Sequence, residues 1–247
     1  MSGPKAGLPA GLQAASQMGS QTGSQAGSQT GPHSGPHAGQ PVVAAGRPPA
    51  EATAAVILVH GRGATAEDIL TLVPELDRPD LAYLAPQAAG SSWYPYSFMA
   101  PLEQNEPGLS SGLAVLGELL AALAPAGIGP ERTMLLGFSQ GACLALEFAA
   151  RAARAVHRFG AVVGLSGGLI GPPGTPRDYA GSLDGTPVLV GCSDRDPHIP
   201  LPRVRETARV MAGLGARVSE QIYPAMGHVI NADEIERVRL LLDQLAT

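Results

Sequence analysis

The sequence predicts an α/β protein with a mostly parallel central sheet, helices on both faces of that sheet and no large separate lid domain. Short apolar runs rich in β-branched residues alternate with segments of helical spacing, which is typical of parallel strands joined by crossover helices. Several runs are apolar throughout, as expected for strands that are covered on both faces. One of them, residues 134–137, leads into a short Gly-x-Ser-x-Gly segment.

The strands and helices can be placed in order. The predicted strands are residues 54–59, 81–85, 134–137, 160–165, 187–191 and 218–223. The predicted helices are residues 66–76, 111–123 with Ser110 as N-cap, 140–153, and a C-terminal helix that begins with a capping box of Asn231 and Glu234.

Ser139 lies between Gly137 and Gly141, directly after a buried strand and before a helical segment. This pattern is typical of a nucleophile elbow, a turn so tight that bulky side chains beside the serine would collide. In a chain with 32 glycines the five-residue pattern can also arise by chance as an ordinary turn. The strand and helix on either side favour the elbow.

Residues 1–50 are predicted to form a disordered arm, and residues 51–247 a single catalytic domain. Ser-Gln-x-Gly occurs four times in succession between Ser16 and Gly31, and such a composition cannot bury enough apolar surface to order itself. We expect His33 and His37 to be solvated residues of this arm rather than metal ligands.

Composition excludes several classes of function. A net charge of −5 without a basic run speaks against nucleic acid as a partner. Neither a signal peptide nor an apolar stretch of membrane-spanning length is apparent, and Cys143 and Cys192 are expected to be reduced core thiols. A cytoplasmic location follows as an expectation.

A serine nucleophile needs a histidine base and usually an acid that orients it. His228 follows the last predicted strand and projects to the same side as Ser139, whereas His60 comes too early for the order Ser, acid, His. His198 lies only two residues from the best acid. For that acid, Asp194 and Asp196 both follow the strand 187–191, and the spacing alone does not separate them.

An aromatic cluster follows the second predicted strand, with Trp93, Tyr94, Tyr96 and Phe98 close together. Two interpretations stand side by side. The cluster can pack its loop onto the domain. Alternatively, Trp93, Tyr94 and Phe98 form a wall for an apolar substrate group, because sites in α/β sheets lie beyond the carboxyl ends of the strands.

These motifs together resemble the phospholipase/carboxylesterase family of α/β-hydrolases, the relatives of acyl-protein thioesterases. The resemblance covers nearly all of residues 54–247; its motifs are His60-Gly-Arg-Gly63, Trp93-Tyr94, Gly137-Phe-Ser-Gln-Gly141, Asp194-Arg-Asp-Pro-His-Ile-Pro200 and Tyr223-Pro-Ala-Met-Gly-His228. It implies that the acid is Asp196, that His228 is the base and that His60 is structural. Ala225 stands where relatives often carry glycine.

The resemblance also completes the expected machinery. We expect the backbone N–H of Gln140 to be one oxyanion donor, because it begins the elbow helix, and the family pattern places the second at the N–H of Arg62. The Arg62 side chain is expected to stiffen its loop through a salt bridge or to contact substrate.

The expected function is that of a serine carboxylesterase for small or medium esters, which needs no cofactor and no metal. A thioesterase or acyl-protein deacylase with the same triad is the alternative within enzymes. A non-catalytic binding module with this fold is the alternative from another class. The expected partner is a small-molecule ester, and a homodimer is one open oligomeric state.

Overall fold

A computed structural model describes residues 33–245 and contains a seven-stranded sheet with helices on both faces. The strands are β1 (Val42–Gly46), β2 (Ala55–Val59), β3 (Ala82–Pro86), β4 (Thr133–Phe138), β5 (Ala161–Leu165), β6 (Pro187–Ser193) and β7 (Arg217–Tyr223). The α-helices are α1 (Ala66–Leu70), α2 (Val73–Leu76), α3 (Gly108–Leu123), α4 (Gln140–Ala152), α5 (Leu201–Gly213) and α6 (Ala232–Leu245).

The sheet order is β1-β3-β2-β4-β5-β6-β7. Strand β1 pairs antiparallel with β3, and all other neighbours pair parallel. The carboxyl ends of β2, β4, β6 and β7 therefore meet at one edge of the sheet, which is where parallel α/β sheets place their sites. The predicted mostly parallel sheet is confirmed, and within residues 33–245 no element forms a separate lid domain.

Two apolar clusters cover the two faces of the sheet. Successive residues of β2 point to opposite faces of the sheet. Ile57 and Val59 belong to the cluster formed with α3, α4 and α5. Val56 and Leu58 belong to the cluster formed with α1, α2 and α6. This two-residue alternation is the normal geometry of a strand, and it explains why β2 has to be apolar at every position.

The folded domain begins before residue 51, where the sequence predicted its first residue. Residues Val42–Gly46 form β1, whose backbone pairs with β3 from Val42 opposite Pro86 to Gly46 opposite Ala82. Three of its five residues are exposed and two are intermediate, so this short apolar run is held by pairing with β3 and is not covered on both faces like the central strands. The rest of the predicted arm, residues 1–32, lies outside the described residues.

Two helix boundaries also differ from prediction. The segment 66–76 forms two short helices because Pro74 lacks the N–H and the space that a continuous helix would require. Helix α3 begins at Gly108, and Ser110 is not its N-cap. Instead the Glu106 carboxylate accepts the Ser110 N–H at 3.0 Å and the Ser110 hydroxyl at 2.7 Å.

The segment Gly108–Ala126 is long and apolar enough to cross a membrane by length and composition, so the prediction that no stretch reaches this limit is wrong for α3. The same test is passed by the core helices of globular domains. One face of α3 is buried in the core, where Leu116 and Leu123 pack with residues of β2 and α4.

The predicted capping box at the start of α6 is confirmed. Asn231 Oδ1 accepts the Glu234 N–H at 2.8 Å, and Glu234 Oε2 accepts the Asn231 N–H at 3.0 Å. Glu234 is fully buried, and its Oε1 has no hydrogen-bond partner in the described part of the chain. Burial raises the pKa of Glu234 from 4.5 to about 7.

We predict that this carboxyl group makes the protein less stable as the pH rises from about 4.5 to about 7. The unfolded state loses its proton first, whereas the folded state retains it, which lowers the free energy of unfolding by on the order of 3 kcal/mol. Glu234→Gln should remove this difference in the free energy of unfolding between pH 5 and pH 8, measured by urea unfolding, because glutamine does not titrate. The amide oxygen can still accept from the Asn231 N–H. Exposed Glu236→Gln is the control; equal pH dependence in both variants would contradict the prediction.

Candidate active site

Ser139 occupies the turn between β4 and α4, at φ 56° and ψ −119°. This backbone conformation is uncommon for a residue other than glycine, and it holds the hydroxyl at the end of the sheet. The Ser139 N–H donates to the Leu165 carbonyl at 2.9 Å, which ties the turn to β5. The strand-to-helix turn predicted from the sequence is thus present.

The two flanking glycines are required by backbone packing. A Cβ on Gly137 would lie 2.3 Å from the Gly141 carbonyl oxygen, and a Cβ on Gly141 would lie 2.1 Å from the Val59 carbonyl oxygen. No side chain fits in either space. Gly141 therefore allows α4 to start directly against the end of β2.

The structure brings Ser139, His228 and Asp196 into one chain of hydrogen bonds. His228 Nε2 lies 2.8 Å from Ser139 Oγ, and His228 Nδ1 lies 2.7 Å from Asp196 Oδ2. Nδ1 donates a hydrogen bond to the Asp196 carboxylate, and Nε2 accepts one from the Ser139 hydroxyl. This network fixes the tautomer of His228. The residues follow β4, β7 and β6, whose carboxyl ends share one edge of the sheet.

The Asp196 side chain is fully buried, and both of its carboxylate oxygens accept hydrogen bonds. Its Oδ1 accepts backbone N–H groups from His198 at 2.8 Å and Ile199 at 3.0 Å. Burial raises the pKa of Asp196, but the hydrogen bonds from His228 and from these two N–H groups outweigh it, so the pKa lies below its usual value. The group is ionised at neutral pH.

Asp194, the other acid of this loop, makes a different contact. Its Oδ1 accepts the Ala225 N–H at 2.7 Å, and next to it Ser193 Oγ accepts the Gly227 N–H at 3.2 Å. Asp194 therefore fixes the backbone that leads to His228 and does not touch the imidazole. The two acids that spacing alone left equal are separated by the direction of their side chains.

The Gln140 side chain, which we did not single out from the sequence, anchors the aromatic loop. Its Oε1 accepts the Trp93 N–H at 2.9 Å, and its Nε2 donates to the Tyr94 carbonyl at 2.8 Å. No local pattern marks this contact, because the partners are more than forty residues apart. Gln140 thus links the elbow to the loop 93–98.

The predicted aromatic wall is present only in part. Tyr94 and Phe98 line a cavity beside Ser139. Trp93 is fully buried away from it, and its Nε1 donates to the His60 carbonyl at 2.9 Å. For Trp93 the packing interpretation fits, and the structure does not bring its side chain to the site.

Two histidines support this loop from behind. His60 donates from Nδ1 to the Gly61 carbonyl at 2.8 Å and accepts the Ala88 N–H at 3.1 Å, and burial lowers its pKa. His37, expected as a solvated residue of the arm, is instead buried: Nε2 donates to the Trp93 carbonyl at 2.9 Å and Nδ1 accepts the Ala89 N–H at 3.0 Å. The expectation for His33 is also wrong, because its Nδ1 lies 2.9 Å from Glu118.

Arg62 holds the other side of the aromatic loop. Its guanidinium donates to the Ser92 hydroxyl at 3.0 Å and to the carbonyls of Pro95 and Tyr96 at 2.9 and 2.6 Å. These partners are a hydroxyl and two carbonyls, so the predicted salt bridge of Arg62 is wrong. The contacts do agree with the prediction that its side chain stiffens the loop. Within residues 33–245, neither the Arg62 N–H nor the Gln140 N–H donates a backbone hydrogen bond.

The cavity beside Ser139 has a volume of about 360 Å³. Ser139, His228 and Gln140 form its reactive end, and its walls include Phe98, Tyr94, Ile199 and the Arg62 side chain. The Cys143 thiol also borders it, and burial raises the pKa of this thiol to about 12, so it is protonated. No group of three or more His, Cys, Asp or Glu residues that could hold a metal ion occurs among the described residues.

The fold and this constellation define the class of α/β-hydrolases. Residues 38–245 match the family model described as phospholipase/carboxylesterase. The chain belongs to this family of ester-hydrolysing serine hydrolases.

Individual relatives agree with this assignment. A crystal structure of a phospholipase/carboxylesterase from Dyadobacter fermentans is 40% identical with a TM-score of 0.77, covering 84% of this chain and 97% of that one. Esterase PE8 is 26% identical with a TM-score of 0.68, covering 83% and 98%. Acyl-protein thioesterase 1 of Gibberella zeae is 28% identical over 214 residues, 77% of this chain and 89% of that protein.

We predict that Gly141→Ala lowers the free energy of unfolding by about 1–3 kcal/mol, because the new Cβ would displace the end of β2. Gly213→Ala is a matched control: a Cβ there meets nothing within 4 Å, so its stability should be unchanged or raised by up to about 1 kcal/mol. Urea unfolding measures both. Equal stabilities of the two variants would show that the close contact at Gly141 does not constrain the elbow.

The two acids should differ strongly in their effect on catalysis. Asp196→Asn is predicted to lower kcat on the order of 10³- to 10⁴-fold, because an amide can hold His228 in the wrong tautomer. Asp194→Asn should change kcat less than tenfold, since its amide oxygen can still accept from Ala225. Steady-state hydrolysis of a short aryl ester tests both, and similar losses would refute the assignment of Asp196.

Proposed function

We propose that this protein is a serine carboxylesterase that hydrolyses small or medium carboxylic esters through Ser139, His228 and Asp196. The observation that supports the proposal most directly is the chain of hydrogen bonds from Ser139 Oγ through His228 to Asp196, at 2.8 and 2.7 Å. A serine hydroxyl is a poor nucleophile by itself, and this arrangement supplies the base and the group that orients it.

The proposed reaction passes through an acyl-enzyme. His228 Nε2 takes the Ser139 proton as Oγ attacks the ester carbonyl carbon, and the same proton then goes to the leaving alcohol oxygen as the C–O bond breaks. Water repeats the sequence on the acyl-serine, releasing the acid and restoring Ser139. Asp196 stays ionised throughout and stabilises the imidazolium.

The oxyanion is proposed to be bound by the N–H groups of Arg62 and Gln140. Neither donates a backbone hydrogen bond elsewhere in the described residues, and the Gln140 N–H is the first of α4, where the helix dipole favours negative charge. The Arg62 side chain supports the neighbouring loop through its guanidinium and makes no use of the backbone N–H.

The cavity beside Ser139 supports a substrate with a small or medium acyl group. Phe98, Ile199 and Tyr94 present apolar surface, whereas the reactive end is polar. The volume of about 360 Å³ is at the lower end of the range of small-molecule sites. We propose that the acyl group lies along Phe98.

A thioesterase or acyl-protein deacylase activity is the second candidate, and it is supported by relatives that carry the name acyl-protein thioesterase. The same triad would attack a thioester carbonyl in the same way. A non-catalytic binding module is disfavoured, because all three side chains are in hydrogen-bonding contact. A cytoplasmic location stays a prediction.

We predict that Ser139→Ala lowers kcat by on the order of 10⁴-fold or more on every ester and thioester that the wild-type protein hydrolyses. The change removes one oxygen and leaves the backbone of the turn unaltered, so the unfolding midpoint should be close to that of the wild type. Acyl esters and thioesters of matched chain length measure the loss and the preference between them. A folded Ser139→Ala protein that retains activity would refute the proposal.

A further inference from the structure

A second cavity, of about 340 Å³, opens at His228. It is formed by the loop after β2 (His60, Gly61 and Ala64), by α1 and the turn after it, by Phe138, and by the residues 228–230. His228 is the residue that it shares with the cavity beside Ser139; the other walls of the two cavities are different. We call this second cavity the α1 groove.

The walls of the α1 groove are mainly apolar. Its apolar side chains are Ile69, Leu72, Phe138, Val229 and Ile230. Val229 is 51% exposed, although it directly follows His228. The Phe138 ring lies 5.0 Å from the His228 ring, so apolar surface continues from the groove to the imidazole.

The polar groups at the groove already have partners. The Asp68 carboxylate accepts the Thr65 N–H at 2.8 Å in a capping box, and the Thr71 hydroxyl donates to the Asp68 carbonyl at 2.6 Å. Both ring nitrogens of His60 are also occupied. A ligand in the groove would therefore gain mainly by burying apolar surface.

The geometry of ester cleavage indicates which half of the substrate lies in the α1 groove. The carbonyl oxygen has to lie at the N–H groups of Arg62 and Gln140, so the cavity that contains Ser139 and Gln140 takes the acyl half. The leaving oxygen has to receive its proton from His228 Nε2, so the other half of the ester lies against the imidazole. The α1 groove begins at that residue.

We propose that the α1 groove binds the alcohol half of the substrate and that this half is apolar, which narrows the substrate class to esters of small or medium acids with alkyl alcohols. This inference rests on the proposed function. Val229 and Leu72 are then specificity-determining residues, which act by contact with the alkyl chain of the leaving group.

The test separates the two halves of the ester. Butanoate esters of alcohols from methanol to octanol form the alcohol series, and ethyl esters of acids from acetic to octanoic form the acyl series. For wild-type protein, kcat/KM should rise in the alcohol series by about two- to fourfold for each methylene that becomes buried. Val229→Ser and Leu72→Ser should each lower this rise and leave the slope of the acyl series as in the wild type.

Leu240→Ser is the matched control, since Leu240 is an exposed apolar residue of α6 that borders neither cavity. It should keep both slopes. Two results would overturn the proposal: lower slopes in the acyl series for the groove variants, which would assign the groove to the acyl half, or unchanged slopes in both series. Leu72→Ser is included because Val229 directly follows His228, so that Val229→Ser can change the rate by moving the imidazole, whereas Leu72 lies far from His228 in the chain.

A binding measurement distinguishes failure of the groove from failure of the proposed function. Calorimetry with octan-1-ol and Ser139→Ala protein needs no turnover. We expect binding that weakens at least fivefold when Leu72→Ser is added. If no ester is hydrolysed but octan-1-ol binds in this way, the esterase proposal fails and the groove stands as an alkyl alcohol site; absence of binding overturns the groove.

Discussion

The constraint on which the site depends is the backbone contact between Gly141 and the end of β2. Because Gly141 has no side chain, the first turn of α4 lies against the Val59 and His60 carbonyls. The contact sets the Gln140 N–H, the Ser139 hydroxyl and the loop after β2 next to one another. The proposed nucleophile and both proposed oxyanion donors are thus placed by main-chain packing, which is far more rigid than a set of surface side chains.

Around this contact, buried hydrogen bonds connect the reactive end of the cavity to the rest of the domain. Gln140 holds the backbone of Trp93 and Tyr94, Trp93 binds the His60 carbonyl, and His37 binds the Trp93 carbonyl. On the other side, Asp194 holds the loop before His228. Polar groups that are buried in this way are costly unless they are paired, so the network fixes one arrangement of the loops.

The features that can be predicted from the sequence are those set by residues close to one another in the chain. The elbow at Ser139, the apolar strands and the capping box of Asn231 and Glu234 follow from short-range patterns, and the family resemblance selected Asp196. Contacts between distant segments could not be predicted: β1 is stabilised by pairing with β3, and His37 by its contact with Trp93. Helix α5 is not among the predicted helices, although its buried residues Val204, Ala208 and Met211 have helical spacing.

The central claim is that Ser139 is a nucleophile activated by His228. Reaction of the folded protein with a fluorophosphonate, followed by mass spectrometry of its peptides, tests it most directly, because the reagent forms a bond with an activated serine and needs no knowledge of the natural substrate. We expect one modification per chain, on Ser139, and a large fall in the rate of modification in His228→Ala protein. A folded protein that remains unmodified, or that reacts equally well without His228, would contradict it.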